Sequence, residues 1–329
     1  MPYMKKIKVA IAGATGYTGG ELIRILLNHP EAKLMSLLTT SLSGKPVWSI
    51  HKDLYGESNL TFTDQIGAPD VLFLCLGHGL SREFLTTNPI PAHCKVIDLG
   101  NDFRTDDTFE DKRFVYGVSE LFEKDIRQTQ YLANPGCFAT TIILGLAPLA
   151  AQKWLTHDVH IHALTGSTGA GKQLTETSQF SYRSSNISIY KPFQHQHLAE
   201  IGKTLACLSS GLSPVINMIP MRGDFPRGIF AAMLVKMPDT VTEEQIVTVY
   251  KNFYKDTLFV HFAEHTISLK EVINTNKTLI NLHFSNGYIH ITSVLDNLLK
   301  GASGQAVQNM NLMFGLPEDC GLRLKNIAF

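Results

Sequence analysis

Apolar and polar positions follow two different patterns in the two parts of the chain. Before residue 136, short apolar runs alternate with helical periodicity, as in the segment 21–27, which stops before Pro30. The runs cover residues 7–12, 33–38, 71–76 and 95–99. Each is followed by polar or glycine-rich residues. This alternation predicts parallel strands joined by crossover helices.

The later part of the chain favours longer strands with fewer helices between them. Strand-like runs cover 159–164, 216–221, 229–237, 278–284 and 287–295. Helical patterns cover 242–255 and 297–314. This order predicts an α+β domain with a mostly antiparallel sheet.

Composition and charge argue against several classes of protein. The chain has 329 residues, enough for two domains, and its formal net charge of zero argues against nucleic acid as the main partner. No apolar run is long enough to span a membrane, and the run at 7–12 is too short for a signal peptide. The five cysteines form no C-x-x-C pair, so we expect reduced thiols in the cytoplasm.

The segment IKVAIAGATGYTGGEL places three glycines, Gly13, Gly16 and Gly19, directly after a strand and at the start of a helix. Such glycines let the backbone approach a pyrophosphate at the helix N-terminus. The second strand ends near residue 39, where an acidic residue would bind the ribose of NAD. The sequence LLTTSLSGK has none and offers hydroxyls and a cation that suit a 2′-phosphate: Thr39, Thr40, Ser41, Ser43 and Lys45. We therefore expect NADP(H) rather than NAD.

The segment ANPGCFATT contains the best candidate for a nucleophile. We expect Asn134 to cap a helix and Pro135 to occupy its first position. Cys137 then lies in the first turn, where the helix dipole stabilises a thiolate. The other four cysteines lack this context.

Histidines supply the candidate acids and bases. His160 and His162 share one face of a predicted strand, and with no third ligand in view we expect no metal site. His195 and His197 form a second pair, and Glu200 follows His197 by three residues. On a helix, Glu200 would neighbour His197 and could fix its tautomer.

The segment GSTGAGKQ resembles an ATP-binding P-loop. Gln173 stands where a P-loop needs Ser or Thr to bind magnesium, so we do not expect ATP to bind. The glycines predict instead a nest of N–H groups for an anion, either the substrate phosphate or NADP. The alternative is a turn whose glycines serve packing only.

Eight segments carry a resemblance to the N-acetyl-gamma-glutamyl-phosphate reductase family, over nearly the whole chain. They are GATGYTGGEL, SGKPV, VIDLGNDFR, YGVSEL, ANPGCFATT, GSTGAGK, HQHLAEI and DNLLKGASGQAVQNMNLMFGL. The resemblance implies an N-terminal α/β Rossmann domain and an α+β catalytic domain like that of glyceraldehyde-phosphate dehydrogenase, with the final helix returning to the first domain. We expect residues 1–136 and 303–329 in the NADP-binding domain and 137–302 in the catalytic and dimerisation domain.

The resemblance also implies an activity and its residues. The activity is NADPH-dependent reduction of an N-acyl-gamma-glutamyl phosphate to the semialdehyde in arginine synthesis. Cys137 is implied as nucleophile and His197 as acid/base, oriented by Glu200. The expected substrate-binding residues are Arg104, His195, Ser167 and Arg227. The expected cofactor-binding residues are Gly13, Thr15, Gly16, Tyr17, Thr18, Gly19, Thr39, Ser41, Ser43, Gly77, Gly169, Ala170 and Asn297.

The substrate and the assembly stay open at this point. The family's P-M-x-R-G-I segment is split here as PMRGDFPRGI, which we interpret as an insertion. The same chemistry on an N-succinyl-glutamyl, aminoadipyl or aspartyl phosphate is the alternative, and a P-loop nucleotide-binding protein is a distant one. We expect a small-molecule substrate and a homodimer or homotetramer.

Overall fold

A computed structural model describes residues 6–211 and 214–327 of the chain. It divides into two compact units. The first comprises the residues up to Pro135 together with Ala302–Arg323, and the second comprises Gly136–Gly301 and the chain from Leu324 on. These limits differ from the predicted domain boundaries by one residue at each junction, and the chain from Leu324 on joins the second unit rather than the first. Which function each domain carries stays a prediction.

The helices and strands follow one another along the chain as β1 (Ile7–Ala12), α1 (Tyr17–Leu27), β2 (Ala32–Leu38), β3 (Val71–Leu74), α2 (Leu80–Thr87), β4 (Lys95–Asp98), β5 (Thr108–Phe109), β6 (Lys112–Arg113), β7 (Val115–Tyr116), α3 (Ser119–Gln128), β8 (Tyr131–Ala133), α4 (Cys137–Ala151), β9 (Val159–Thr165), α5 (Phe180–Arg183), β10 (Ser188–Ile189), α6 (His197–Leu208), β11 (Ile216–Arg222), β12 (Ile229–Lys236), α7 (Glu243–Tyr254), β13 (Val260–Phe262), β14 (Thr278–Ser285), β15 (Tyr288–Leu295) and α8 (Gly304–Met313).

The first unit is a parallel sheet with helices between its strands, as the sequence predicts. Its six strands lie in the order β2-β1-β3-β4-β8-β7, and every neighbouring pair is parallel. The strand β3, with the sequence VLFL, is buried at all positions because a sheet of this kind is covered on both faces. The predicted Rossmann architecture is confirmed.

Helix α8 completes the first unit and carries unusually many buried amides. The Asn309 amide nitrogen donates to the carbonyl oxygen of Gly117 at 2.9 Å, and its amide oxygen accepts from the Ser119 hydroxyl at 2.8 Å. Gln305 also donates to the Gly117 carbonyl oxygen, at 3.0 Å. These bonds fix the final helix against α3, and its predicted return to the first unit is confirmed.

The second unit is built on a seven-stranded mixed sheet. Its strand order is β10-β11-β9-β12-β15-β14-β13, and four of the six neighbouring pairs are antiparallel. Side chains alternate along β9: Val159, Ile161 and Ala163 are buried, whereas His160 and His162 are exposed. One face of the sheet therefore packs on helices, and the other is largely uncovered.

Helix α4 is the centre of the second unit. Every side chain from Phe138 to Ala150 is buried, and the helix packs against α6, α7, β12 and β15. Pro148 lies inside this helix and has no N–H, so the Leu144 carbonyl four residues earlier lacks its usual helical partner. The hydroxyl of Tyr254 on α7 donates to that carbonyl oxygen and replaces the missing N–H.

Two predicted helix ends are corrected by the structure. Helix α4 begins at Cys137 with Gly136 as its N-cap, so Asn134 is not the cap and Pro135 does not occupy the first helical position. The amide of Asn134 instead bonds the Ala302 carbonyl oxygen and the Asn309 side chain. The final helix starts as a π-helical turn, Leu299–Ser303, before α8.

The bond between Tyr254 and Leu144 can be tested. We expect Tyr254→Phe to lower the free energy of unfolding by about 1–3 kcal/mol, because it leaves a buried carbonyl without a donor. Tyr250→Phe is the matched control. The Tyr250 hydroxyl donates to the Gly145 carbonyl oxygen at 2.6 Å, and that carbonyl keeps a helical N–H, so we expect a loss of about 1 kcal/mol or less.

Urea unfolding of both variants in the wild-type and Pro148→Ala backgrounds measures the energetic coupling between the Tyr254 hydroxyl and Pro148. Alanine restores the missing N–H, so Tyr254→Phe should cost less beside Pro148→Ala than it does alone. An equal cost in the two backgrounds would contradict this account of the bond.

Candidate active site

Cys137 occupies the first position of a helix that cannot move freely. The body of α4 is buried, so the N-terminal turn and its cysteine are held in place, while Cys137 itself is half-buried. Gly136, the residue at the N-cap, has no side chain to occupy the helix N-terminus. The first-turn position expected for the nucleophile is therefore present, and the helix dipole there favours a thiolate.

Two glycines make room around this cysteine. A Cβ added to Gly136 would lie 2.6 Å from Glu200 Oε1 and nearer still to His197 Nε2. A Cβ added to Gly301 would lie 2.8 Å from the Cβ of Cys137. Real carbon atoms do not approach so closely, so the backbone at these positions packs directly on the candidate catalytic side chains.

His197 and Glu200 lie together in the first turn of α6. Both side chains are buried, and His197 Nε2 is 3.8 Å from Glu200 Oε1. The second carboxylate oxygen, Oε2, accepts the Gly136 N–H at 3.0 Å. Glu200 thus connects the imidazole to the residue that precedes Cys137, and the structure brings together the three residues expected to be catalytic.

His195 belongs to the same cluster. Its ring centroid is 4.5 Å from that of His197 and 5.2 Å from that of Phe138, and its Nδ1 accepts the His197 N–H at 3.2 Å. Burial, with a smaller contribution from the Lys191 charge, lowers the pKa of His195 to about 4. His195 is therefore neutral near neutral pH.

The sequence did not point to Tyr190 and Arg222, which the structure adds to the cluster. The Tyr190 ring centroid is 5.8 Å from that of His195, and the Arg222 guanidinium carbon lies 4.6 Å from the Tyr190 ring centroid. Burial raises the pKa of Tyr190, the Cys137 thiolate raises it further, and the Arg222 charge lowers it. Pairing of β10 with β11 brings these residues together, and no spacing in the sequence indicates that pairing.

The other cysteines have surroundings that disfavour a thiolate. Burial raises the pKa of both Cys75 and Cys94 to about 12. Burial also raises the pKa of Cys320. Cys207 is exposed on α6 and is the remaining alternative.

The glycine-rich loop 166–171 differs from the predicted anion nest. The N–H groups of Gly166, Ser167 and Thr168 donate to the carbonyl oxygens of Gly228, Phe225 and Pro226, all within 3.1 Å. The N–H groups of Gly169 and Gly171 donate within the loop. The loop continues β9 as a short 3₁₀ helix, Ser167–Ala170, whereas a P-loop leads into an α-helix. Five of its N–H groups therefore have protein acceptors, three of them in the segment 225–228.

Several expected ligand-binding residues have protein partners in the structure. Arg227 forms an ion pair with the buried Asp296, at 3.1 Å from Nε to Oδ2. Asn297 accepts the Gly228 N–H and donates to the Thr168 hydroxyl. Arg104 donates to the carbonyl oxygens of Asn134 and Leu99. Roles for these three residues, and for Ser167, Gly169 and Ala170, stay predictions.

In the first unit, the β1–α1 turn suits a dinucleotide. Gly13 has a φ of 78°, and a Cβ there would meet the Cys75 carbonyl at the end of β3. A Cβ at Gly19 would lie 2.8 Å from the Ala14 Cα, so α1 packs closely on the turn. Gly16 caps α1 without a side chain, which leaves the helix N-terminus open toward a pyrophosphate.

The remaining expected cofactor residues of the first unit lie around the same edge. Thr15, Tyr17 and Thr18 belong to the β1–α1 turn and the start of α1, and Gly77 follows β3. Thr39 is partly exposed after β2, while Ser41 and Ser43 are exposed. Parallel pairing aligns the carboxyl ends of β1, β2 and β3, so these residues can contact one ligand.

Metal clusters and membrane-spanning helices are both absent from the described part of the chain. Within residues 6–211 and 214–327, no group of three His, Cys, Asp or Glu side chains could hold a metal ion. Over the same residues, no helix has the length and apolar character needed to cross a membrane.

The lowered pKa of His195 predicts a pH effect on stability. Below its ordinary value of 6.5, the unfolded chain takes up a proton that the folded chain refuses until the pH nears 4. Stability is therefore lost as the pH falls through this window. The free energy of unfolding of wild type should fall between about pH 7 and about pH 5. In His195→Asn this fall should be smaller by about 1–2 kcal/mol.

Urea unfolding at both pH values measures this difference. His157→Asn, at an exposed position before β9, is the matched control and should follow wild type. Identical losses in His195→Asn and wild type would contradict the burial of a neutral imidazole.

Comparison with known proteins places the chain in a family. A family model described as the semialdehyde dehydrogenase NAD binding domain matches residues 8–129, and one described as the semialdehyde dehydrogenase dimerisation domain matches residues 137–297. Among solved structures, aspartate semialdehyde dehydrogenase II of Vibrio cholerae aligns with a TM-score of 0.73 at 18% identity, covering 95% of this chain and 99% of that one. At that identity, the alignment shows the fold.

Similarity in sequence is much higher to two curated relatives. The N-acetyl-gamma-glutamyl-phosphate reductase of Flavobacterium johnsoniae is 51% identical, over 98% of this chain and 100% of that protein. The protein of the same name from Bacteroides thetaiotaomicron is 50% identical over the same shares. The chain therefore belongs to the N-acetyl-gamma-glutamyl-phosphate reductase family of semialdehyde dehydrogenases.

Proposed function

We propose that this chain catalyses the NADPH-dependent reduction of N-acetyl-L-gamma-glutamyl phosphate to N-acetyl-L-glutamate 5-semialdehyde and phosphate, a step of arginine biosynthesis. Its relatives at about half identity over the full length carry the name of this reductase. The observation that carries the proposal is Cys137 at the N-terminus of a buried helix, beside the pair His197 and Glu200.

The residues of the second unit fit an acyl transfer through sulfur. The Cys137 thiolate attacks the acyl carbon, the carbon–oxygen bond to phosphate breaks, and a thioester forms. NADPH supplies the hydride that reduces this thioester. His197 donates a proton to the oxyanion that hydride addition leaves, and it takes this proton back from the thiohemiacetal hydroxyl while the carbon–sulfur bond breaks, which releases the aldehyde and restores the thiolate. Glu200 positions His197, and neutral His195 contacts the substrate.

NADP(H) is the cofactor in this proposal. The glycine turn of the first unit accepts a pyrophosphate, and the loop after β2 presents hydroxyl groups with no carboxylate that would repel a 2′-phosphate. Gly13–Gly19 hold the pyrophosphate, and the loop 39–43 holds the 2′-phosphate. The cytoplasm is the proposed compartment, since the thiol must stay reduced.

The reaction is tested most directly in reverse. Wild-type protein should form NADPH, seen by its absorbance, from N-acetyl-glutamate semialdehyde, phosphate and NADP⁺, and should use NAD⁺ at least about tenfold less well. Cys137→Ser should abolish turnover yet still bind NADPH, because a hydroxyl is a far weaker nucleophile. His197→Asn should lower turnover more than His195→Asn does.

Cys207→Ser, which removes the exposed thiol of α6, is the matched control and should keep full activity. The N-succinyl semialdehyde, run beside the N-acetyl compound, decides which acyl group the site takes. Appreciable turnover by Cys137→Ser, or equal use of NAD⁺ and NADP⁺, would overturn the corresponding part of the proposal.

A homodimer through the uncovered sheet face is the proposed assembly. The face carries a row of apolar side chains that strand pairing places side by side: Ile189, Met221 and Leu164. Leu234 and Tyr288 on the same face are 41% and 42% exposed. The matching family model describes residues 137–297 as a dimerisation domain, and a second copy of the chain would cover these apolar groups.

Leu234→Glu should weaken this dimer. A charge on each copy of an apolar interface should raise the dissociation constant by at least about tenfold, and sedimentation velocity against concentration would measure the change. Asn252→Glu, at an exposed position of α7, is the matched control and should leave the association unchanged. A wild-type monomer, or a dimer indifferent to Leu234→Glu, would argue against the sheet face as the interface.

A further inference from the structure

His51 connects two parts of the first unit that lie apart in the sequence, and no motif in the sequence points to it. Its Nε2 is 2.8 Å from the carbonyl oxygen of Ala14, which lies in the β1–α1 turn. A carbonyl oxygen only accepts, so Nε2 carries the proton and donates it to this hydrogen bond. His51 therefore links the long connection after β2 to the turn that is proposed to hold a pyrophosphate.

The imidazole of His51 has a fitted place beside helix α1. A Cβ added to Gly20 would lie 2.7 Å from both Cε1 and Nδ1 of His51, closer than a side-chain carbon can approach. On another side, the Phe62 ring centroid is 6.4 Å from that of the imidazole. The absence of a side chain at Gly20 thus lets the ring reach the turn.

The turn itself does not depend on His51 for its shape. Gly13 packs on the Cys75 carbonyl, and Gly19 packs on the backbone of Ala14. These contacts belong to β1, β3 and α1 and involve no residue of the connection after β2. Loss of the His51 hydrogen bond would therefore release the connection and leave the turn in place.

The residues 39–43, proposed to hold the 2′-phosphate, lie at the start of this connection. Just after them, the Gly44 N–H donates to the Phe62 carbonyl oxygen, and the Phe62 N–H donates to the Lys45 carbonyl oxygen, both at 2.9 Å. These bonds hold the loop to its own return segment. His51, farther along the same connection, holds it to the turn.

The proposed dinucleotide has to contact both places at once, with its pyrophosphate at the turn and its 2′-phosphate at the loop 39–43. We propose that His51 positions this loop against the β1–α1 turn and so sets the preference for NADP(H) over NAD(H), an inference that rests on the proposed function. Two contacts with one ligand reinforce each other only when their separation matches that ligand. NADH lacks the 2′-phosphate, so a displaced loop should weaken its binding much less.

Direct binding measures this preference without turnover. His51→Leu removes the donor and keeps an apolar side chain. It should raise the Kd for NADPH about tenfold, the value expected for losing one positioning hydrogen bond, and the Kd for NADH less than about threefold. His51→Gln, whose amide can donate to the same carbonyl, should recover most of the NADPH affinity. His93→Leu, at an exposed position of the first unit, is the matched control and should bind both nucleotides as wild type does.

Turnover gives a second readout. In the reverse reaction, His51→Leu should raise the KM for NADP⁺ about tenfold and leave kcat within about twofold of wild type, because Cys137 and its neighbours belong to the second unit. Equal losses of affinity for NADPH and NADH, or a fall in kcat with an unchanged KM, would overturn the positioning role of His51.

Gly20→Ala tests the same contact from the side of α1. The added Cβ should displace the imidazole and raise the Kd for NADPH about three- to tenfold, while alanine inside a helix favours the fold. In a His51→Ala background, where no ring meets the Cβ, Gly20→Ala should change this Kd less than about twofold. An equal cost in the two backgrounds would contradict the contact.

Two further outcomes separate this inference from the proposed function. Wild-type preference for NADPH in both His51→Leu and Gly20→Ala would overturn the inference and leave the proposed function intact. Wild-type protein that binds neither nucleotide would overturn the proposed function, and the inference with it.

Discussion

The burial of helix α4 is the constraint on which the candidate site depends. Its side chains from Phe138 to Ala150 are buried on every side, so the helix cannot rotate or slide without leaving cavities in a packed core. Cys137, half-buried at the N-terminal end of this helix, therefore has a fixed position. Pro148 would weaken such a helix, and the Tyr254 hydroxyl compensates by replacing the missing donor.

A buried helix fixes the nucleophile, and glycines let the other groups reach it. Gly136 allows His197 and Glu200 to contact the backbone that precedes Cys137, and Gly301 contacts the cysteine itself. The hydrogen bond from the Gly136 N–H to the Glu200 carboxylate has two effects. It satisfies a donor at the helix N-terminus, and it holds the carboxylate beside His197 without placing a negative charge on the cysteine side chain.

Local patterns in the sequence were sufficient for most strands and helices, since burial follows the period of apolar residues. The longer β-strands of both units and helix α7 lie where the periodicity places them, whereas the short strands were not predicted: β5, β6, β7, β8, β10 and β13. Asn134 shows where local rules fail. It is a favourable capping residue, yet its amide bonds Ala302 and Asn309, which lie far along the chain. A residue with several available partners takes those that tertiary structure supplies, and a sequence window does not contain them.

The residues of the candidate site also fall into two groups, those that the sequence could identify and those that it could not. Cys137, His197 and Glu200 could be found because each pairs a reactive group with a helix start or a helical spacing. Tyr190 and Arg222 could not, because only the pairing of β10 with β11 makes them neighbours.

The glycine-rich loop departs from its prediction for a related reason. Its N–H groups are satisfied by carbonyls of the segment 225–228, which lies more than fifty residues later. That segment and Arg222 come from the same stretch, PMRGDFPRGI, so one part of the chain both satisfies the N–H groups of the loop and supplies the cation beside Tyr190.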